Sequence, residues 1–251
     1  MSDDFTFKIN ILGYCGAFAM PGGATCGVLV TTSEGTFLLD CGGGVLSRFF
    51  AHADLTDQFQ GVVLSHLHFD HVGDLGSLYY AINYALRIGK RTTQPHIYGP
   101  ATPEPMWSVL QYPRCDMHIL QEGKSFQIAG ATVTMKAMHH PVECYAFRIE
   151  KDGKCFAYYT DTSYDADHTE FLRDVDLLIC EATVTEGSLH TTGLGHISDI
   201  EAGQMAENSH AKKLCLYHLP SDGDLSSMRA RAASVYHGEV YTPDLCSVFI
   251  L

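Results

Sequence analysis

Six consecutive residues, His66 to His71, carry four side chains able to bind a metal ion: His66, His68, Asp70 and His71. They lie in LSHLHFDHVGDL (64–75), directly after the apolar run GVVLSH (61–66). Ahead of them DHVGDLGSLYYAINYALRIG (70–89) has the length and spacing of a helix. His66 and His68 are two apart, so extended chain points both the same way, while Asp70 and His71 fall on the turn that opens the helix. A solvated His-rich turn is the competing reading, but an apolar strand seldom leads into one. Imidazoles and a carboxylate packed at a strand end suit a divalent ion of borderline softness. One such cluster can also divide its ligands between two ions. The chain must therefore end a buried strand at a site and start a helix there, which is α/β architecture.

The remaining pattern agrees. FTFKINIL (5–12) alternates as a strand, GYCGAFAMPGGATC (13–26) is a Gly-rich loop, and GVLVTT (27–32) and TFLLDCG (36–42) read as strands joined by a tight turn at Ser33-Glu34-Gly35. Helical spacing covers 43–55, and PHIYGP (95–100) is a short strand. In the second half, strands are predicted at 125–138, 143–150, 154–160, 175–183 and 212–220, with Asp152-Gly153 as a hairpin turn. Ser198 and Glu201 fit a capping box at the head of a helix, and a last helix and the strand CSVFIL (246–251) follow. Two halves, each with a sheet and helices, suggest a four-layer αββα sandwich read as one domain over 1–251.

Composition narrows the function. The formal net charge of −13 argues against a broad nucleic-acid footprint, which needs clustered Lys and Arg, but leaves room for a small anionic substrate held by metal. The acidic, alternating start MSDDFTFKIN is not a signal or transit peptide. No apolar stretch approaches the roughly 18 residues of a membrane span. Nine Cys without a CxxC, most inside apolar runs, read as reduced thiols. The expected location is cytoplasmic, and a homodimer is compatible with the sequence.

The H-x-H-x-D-H motif at 66–71 resembles the signature of the metallo-β-lactamase superfamily, and the opening loop GYCGAFAMPGGATCGVLV looks like that of its ribonuclease Z and phosphodiesterase branch. Further positions match in the family's order over residues 8 to 220: His140 in MHHPVECYAFRI, Asp161 in FAYYTDTSY and His218 in LCLYHLP. The resemblance implies a metallo-β-lactamase-like αββα fold with two divalent ions, zinc first and manganese or iron as alternatives. His66, His68 and His140 would bind one ion. Asp70, His71 and His218 would bind the other, Asp161 would bridge both, and a shared water or hydroxide would sit between them. His140 is preferred to its neighbour His139 because it directly precedes Pro141 as in the family. Thr160 stands before Asp161 where the family often has Gly, which is similar to cyclic phosphodiesterase members.

His196, in GLGHISDIEAG, matches a branch position that faces the scissile phosphate and donates a proton; His190 is its competitor. Asp70 and His196 are thus the candidate catalytic groups. Glu181 either holds His196 or a ligand imidazole, or is a buried polar strand end. Asp74 either orients a ligand or favours a helix N-terminus. Trp107 and the Tyr-rich stretch 78–89 read as helix core face rather than substrate mouth. The expected activity is metal-dependent hydrolysis of a small phosphodiester or RNA end through a metal-bridging hydroxide. A glyoxalase-type thioesterase and a ribonuclease Z-type tRNA 3′ endonuclease are the alternatives. The family grips tRNA with an arm inserted between the third-motif His and the bridging Asp, and here only 21 positions separate His140 from Asp161. Extended nucleic acid and membrane are therefore not expected partners.

Overall fold

Strand patterning in this chain serves two faces at once. In a computed structural model that describes residues 5–184, 195–244 and 247–251, alternate residues of each central strand pack into different cores. The first half holds β1 (Lys8–Gly13), β2 (Cys15–Gly16), β3 (Gly27–Thr32), β4 (Gly35–Leu39), α1 (Val45–Phe49), β5 (Phe59–Val63), α2 (Phe69–Val72), α3 (Leu75–Arg87), β6 (His96–Gly99), α4 (Glu104–Leu110) and β7 (Asp116–Ile119). The second holds β8 (Ser125–Ile128), β9 (Ala131–Ala137), β10 (Tyr145–Lys151), β11 (Lys154–Tyr159), β12 (Leu177–Glu181), α5 (Asp199–Asn208), β13 (Lys213–Tyr217), β14 (Leu219–Pro220), α6 (Leu225–Ala233), β15 (Glu239–Tyr241) and β16 (Val248–Ile250).

Two seven-stranded sheets result, ordered β16-β1-β3-β4-β5-β6-β7 and β15-β13-β12-β11-β10-β9-β8. Each is built alike. The pairings β16-β1-β3-β4 and β8-β9-β10-β11 are antiparallel, whereas β4-β5-β6-β7 and β11-β12-β13-β15 are parallel. Connections without a helix join the antiparallel neighbours except β16 and β1, which come from opposite ends of the chain, and crossovers, several of them helical, supply the parallel pairs. Val28, Val30, Phe37 and Leu39 of the first sheet meet Phe147, Phe156, Tyr158, Ile179 and Tyr217 of the second in one core between the sheets. Leu29, Leu38 and Val62 face outward onto Val45 and Phe49 of α1 and Leu78 and Ile82 of α3. Leu178, Cys180, Leu214 and Leu216 face outward onto Ala202, Met205 and Ala206 of α5. Helix, sheet, sheet and helix therefore stack in four layers, as expected. Because both faces are covered, the central strands are apolar throughout rather than alternating with polar residues.

Of the helical spacing read over 43–55 only α1, Val45–Phe49, forms a helix, and three further expected elements differ in detail. The helix read over 70–89 is two, α2 and α3, divided at Gly73 and Asp74. There the backbone is pinned to the first sheet: Asp74 N donates to Cys41 O at 3.0 Å, and a Cβ on Gly73 would come within 3.0 Å of Gly43 N. The strand read over 125–138 is the hairpin β8–β9, turning at Ala129 and Gly130, both with positive φ. The strand read over 212–220 breaks at His218, whose φ is +49°. The Asp152-Gly153 hairpin forms as read, with φ of +47° and +76°. Helix α4 and the short strands β7 and β15 carry too few residues to announce themselves by periodicity. Trp107 belongs to the core, packed under Gly99. The Tyr-rich helix divides: Tyr79 is buried with its hydroxyl on Leu110 O, whereas Tyr80 and Tyr84 are exposed. All eight described cysteines are buried and unpaired with one another. Among the described residues no helix is long and apolar enough to cross a membrane.

The two sheets are stitched by aromatic contacts such as Phe7 on Phe156, edge to face at 5.1 Å, both fully buried. Phe156→Ala is expected to lower unfolding free energy by about 3–5 kcal/mol, read by urea denaturation.

Candidate metal centre

The side chains singled out in the sequence come together where parallel strands end, at the seam between the sheets. His66 follows β5, Asp161 follows β11 and His218 follows β13, while His68, Asp70 and His71 lie on α2 or its N-cap. Parallel strands leave a crevice at their carboxyl ends, and loops from both sheets open into this one.

Behind the crevice sits a group that sequence reasoning passed over. Asp40 closes β4 with φ +58°, a conformation Asp tolerates better than most residues, and is fully buried. Its carboxylate accepts from Ser65 N at 2.7 Å, Ser65 Oγ at 2.8 Å and the Tyr158 hydroxyl at 2.8 Å, and pairs with His71 Nδ1 at 2.8 Å. A carboxylate only accepts, so His71 carries a proton on Nδ1 and turns its Nε2 inward. That Nε2 is buried and has no hydrogen-bond partner among the described residues.

The same bookkeeping of protons applies to three more rings. Ser65 Oγ donates to Asp40, so it accepts from His66 Nδ1 at 3.0 Å. His140 Nδ1 lies 3.0 Å from Gly195 O, an obligate acceptor. Thr183 Oγ1 donates to Glu181 at 2.8 Å and so accepts from His218 Nδ1 at 2.6 Å. Each imidazole is thus oriented by an outer partner, and each Nε2 faces inward, where loss of any proton it carries makes it a ligand.

The inward atoms fall into two groups. His66 Nε2 is 3.0 Å from His68 Nδ1, which is 3.1 Å from His140 Nε2. His218 Nε2 is 3.2 Å from Asp70 Oδ2, which is 3.7 Å from His71 Nε2. Asp161 reaches both groups, with an oxygen 3.7 Å from His66 Nε2, 3.6 Å from His71 Nε2 and 3.3 Å from His218 Nε2. Cys26 Sγ also lies within 4.8 Å of His71 and His218 nitrogens. Nitrogen and oxygen atoms converging at these distances, with an orphaned buried nitrogen among them, fit divalent cations of the kind that imidazole and carboxylate hold, an arriving ion displacing the protons of His71 and His218.

Charge is arranged to match. Burial alone would push the Asp161 carboxyl up, but His218, His71 and His66 hold it well below the usual carboxylate range. Burial likewise opposes the ionised Asp70, and the hydrogen bond from His218 and the charge of His71 outweigh it. Burial and the neighbouring His71 push His66 well below its ordinary value. Burial also lowers His68 and His140. His71 and His218 lie well above theirs, because Asp161 and Cys26, with Asp40 beside His71 and Asp70 beside His218, outweigh burial. A cation arriving here would meet two ionised carboxylates.

His139 points away from the two groups, bonded to Asp165 Oδ2 at 2.8 Å, so His140 is the one that faces in. His196 stands at the rim. Its ring stacks on His218 with centroids 5.2 Å apart, and Nδ1 lies 3.1 Å from Glu181 Oε2 and 3.9 Å from Asp161 Oδ2. Glu181 holds His196 directly and His218 through Thr183, and accepts from Thr162 N at 2.6 Å. Asp74 touches the helix side instead, accepting from Leu46 N of α1 at 2.9 Å. The opening loop is tied in by Ala17 N on Asp70 Oδ2 at 2.9 Å. His190 lies outside the described residues.

Residues 36–219 match the family model of the beta-lactamase superfamily domain, and the chain belongs to that family. It is 34% identical over 234 residues to the probable metallo-hydrolase YhfI of Bacillus subtilis (strain 168), covering 93% of this chain and 95% of that protein. The crystal structure of YhfI superposes with a TM-score of 0.88 at 31% identity over 98% of both chains. Ribonuclease BN of Cronobacter sakazakii (strain ATCC BAA-894) is 24% identical over 247 residues, covering 75% of this chain and 80% of that protein. A diphosphatase of the PhnP family shares the fold, with a TM-score of 0.73 at 19% identity over 94% of this chain and 93% of the other. The family implies a divalent metal centre, and the His and Asp groups above are the candidates for it.

Asp40 could have been found, since it is a carboxylate closing an apolar strand, the position that Asp161 also occupies. Asp40→Asn keeps the shape and removes the charge behind His71. It is expected to weaken zinc binding by roughly 10–100-fold, measured by competition with a chromogenic chelator.

Proposed function

We propose that the chain is a binuclear metal-dependent phosphodiesterase acting on a small phosphodiester or a short RNA end. The observation that carries this reading is Asp161 touching both donor groups, with His196 held beside it by Glu181. His66, His68 and His140 would hold one ion, and Asp70, His71 and His218 the other, with Asp161 shared. Zinc suits the mixed His and carboxylate donors best. Two such ions would supply Lewis acidity toward a phosphoryl oxygen and an activated water at neutral pH.

The chain's own residues would do the rest. Asp40, Thr183 and Gly195 O keep the imidazoles aimed inward, so the centre does not reorganise during turnover. His196 is the proton donor to the leaving oxygen. Burial pulls its pKa down, but the hydrogen bond and charge of Glu181 outweigh this and hold it above the ordinary histidine value, so the donor form persists to higher pH than in an ordinary histidine. The substrate is small because β10 and β11 fill most of the span between His140 and Asp161, leaving no room there for a tRNA-gripping arm. The net charge of −13 also disfavours extended nucleic acid. Similarity to a probable metallo-hydrolase and to ribonuclease BN supports hydrolysis as the reaction class. We read residues 1–251 as one cytoplasmic hydrolase unit, with a homodimer compatible.

Bis-p-nitrophenyl phosphate and cyclic nucleotides, assayed with and without chelator beside nitrocefin and a tRNA precursor, test this. Chelator-sensitive hydrolysis of the small phosphodiesters alone is expected, and efficient trimming of the tRNA precursor would overturn the size argument.

His196→Ala is expected to lower kcat by roughly 10²–10⁴-fold while zinc content by elemental analysis stays unchanged. The loss should shrink for p-nitrophenyl leaving groups, which need no proton. With a raised pKa the acid form is present at low pH and lost as pH rises through that value. Glu181→Gln removes the support, so the alkaline limb of the kcat profile should move to lower pH.

A further inference from the structure

Beside the main centre three other donors meet. His139 Nε2 lies 2.8 Å from Asp165 Oδ2, and His168 Nε2 lies 3.7 Å from the same oxygen. One donor atom from each residue falls within 4.8 Å of the other two. The His139 and His168 rings stack at 5.6 Å, 15° from parallel.

His168 is only 2% exposed, and its Nδ1 pairs with the Tyr159 hydroxyl at 2.9 Å. Its Nε2 is aimed at Asp165, yet 3.7 Å is too long for a hydrogen bond, and that nitrogen has no other partner among the described residues. Asp165 spends Oδ1 on Asp167 N at 2.8 Å, capping the short 3₁₀ turn Ala166–Thr169, and leaves Oδ2 to the two imidazoles. The His139 side chain is 64% exposed, so solvent can complete a coordination shell.

We propose that His139, Asp165 and His168 form a separate site for one divalent transition-metal ion, distinct from the main centre. Two imidazoles and a carboxylate with open positions are a donor set that zinc accepts. The Tyr159 hydroxyl oxygen would accept a hydrogen bond from His168 Nδ1–H and leave Nε2 as the ligand. The site's position gives it a purpose. His139 directly precedes His140, and its N and O bond Thr162 Oγ1 at 3.1 Å and Ser163 N at 2.9 Å, just beyond Asp161. An ion here would clamp together the two loops that bring His140 and Asp161 to the main centre.

The test uses the whole protein, stripped with chelator, desalted, saturated with Zn²⁺ and counted by native mass spectrometry. Five forms are compared: the unaltered chain, His139→Gln, Asp165→Asn, His66→Ala/His68→Ala, and the last with His139→Gln added. Asp165→Asn retains an oxygen for Asp167 N, and circular dichroism of the metal-free forms checks the fold. His139→Gln and Asp165→Asn are each expected to hold one ion fewer than the unaltered chain. The His66→Ala/His68→Ala chain should still hold an ion that disappears when His139→Gln is added. Equal zinc counts in the unaltered chain, His139→Gln and Asp165→Asn would overturn the proposal. If the main-centre assignment is wrong instead, His66→Ala/His68→Ala will bind as many ions as the unaltered chain while the His139 and Asp165 variants still lose one.

Discussion

A buried carboxylate at the end of one strand governs the geometry of this molecule's centre. Asp40 has no water to solvate it, so it must collect donors, and it takes them from Ser65, Tyr158 and His71. Those three belong to both sheets: Ser65 follows β5, Tyr158 lies in β11 and His71 in α2. Satisfying one anion therefore sets the register of the sheets and the tautomer of an inward imidazole together. Ser65, once committed to Asp40, can only accept from His66, and a second ring is oriented by the same act. The positive φ at Asp40 is the backbone's share in this arrangement.

A second polar relay does the same from the other sheet. Glu181 ends β12 fully buried and is shared by Thr162, Thr183 and His196, and through Thr183 it reaches His218. Two buried carboxylates, one per sheet, thus stand behind the two donor groups, while Asp161 and Asp70 face into the crevice. The two pairs are held differently: Asp40 and Glu181 each take neutral donors and one imidazole, His71 and His196 respectively, whereas Asp161 is held by the convergence of His66, His71 and His218. Networks of this kind are sensitive to partial satisfaction, because each buried member depends on the next for its hydrogen bonds.

What the sequence made legible was local chemistry and long strands. Four donors in six residues after GVVLSH need no tertiary information, and the strand-end positions of Asp161 and His218 follow from apolar runs that stop abruptly. The doubled sheet was readable as two similar halves because hairpin signals precede βα signals in each. Three things were hidden. The break between α2 and α3 is caused by a backbone contact to Cys41, some thirty positions away, which helical periodicity cannot register. The roles of Asp40, Ser65 and Thr183 depend on which proton goes where, a property of the assembled network. Glu181 was readable as a holder of His196 or of a ligand imidazole, or as a polar strand end; that it serves His196 and, through Thr183, His218 together appears only when β12 and β13 lie side by side.

The donors of the centre come from distant parts of the chain, and this has a consequence for folding. Asp70 and His218 stand 148 positions apart yet approach within 3.2 Å. No covalent bond holds them, so the contact is absent from the unfolded chain and folding itself must close the loop. Loop-closure entropy rises only with the logarithm of length, and closing this one costs about 5 kcal/mol on the chain-entropy model used for disulfides. This chain carries eight buried, unbridged cysteines among its described residues. Among the described residues no sulfur bridge closes that loop in advance, so meeting its cost falls to the packing of the two sheets.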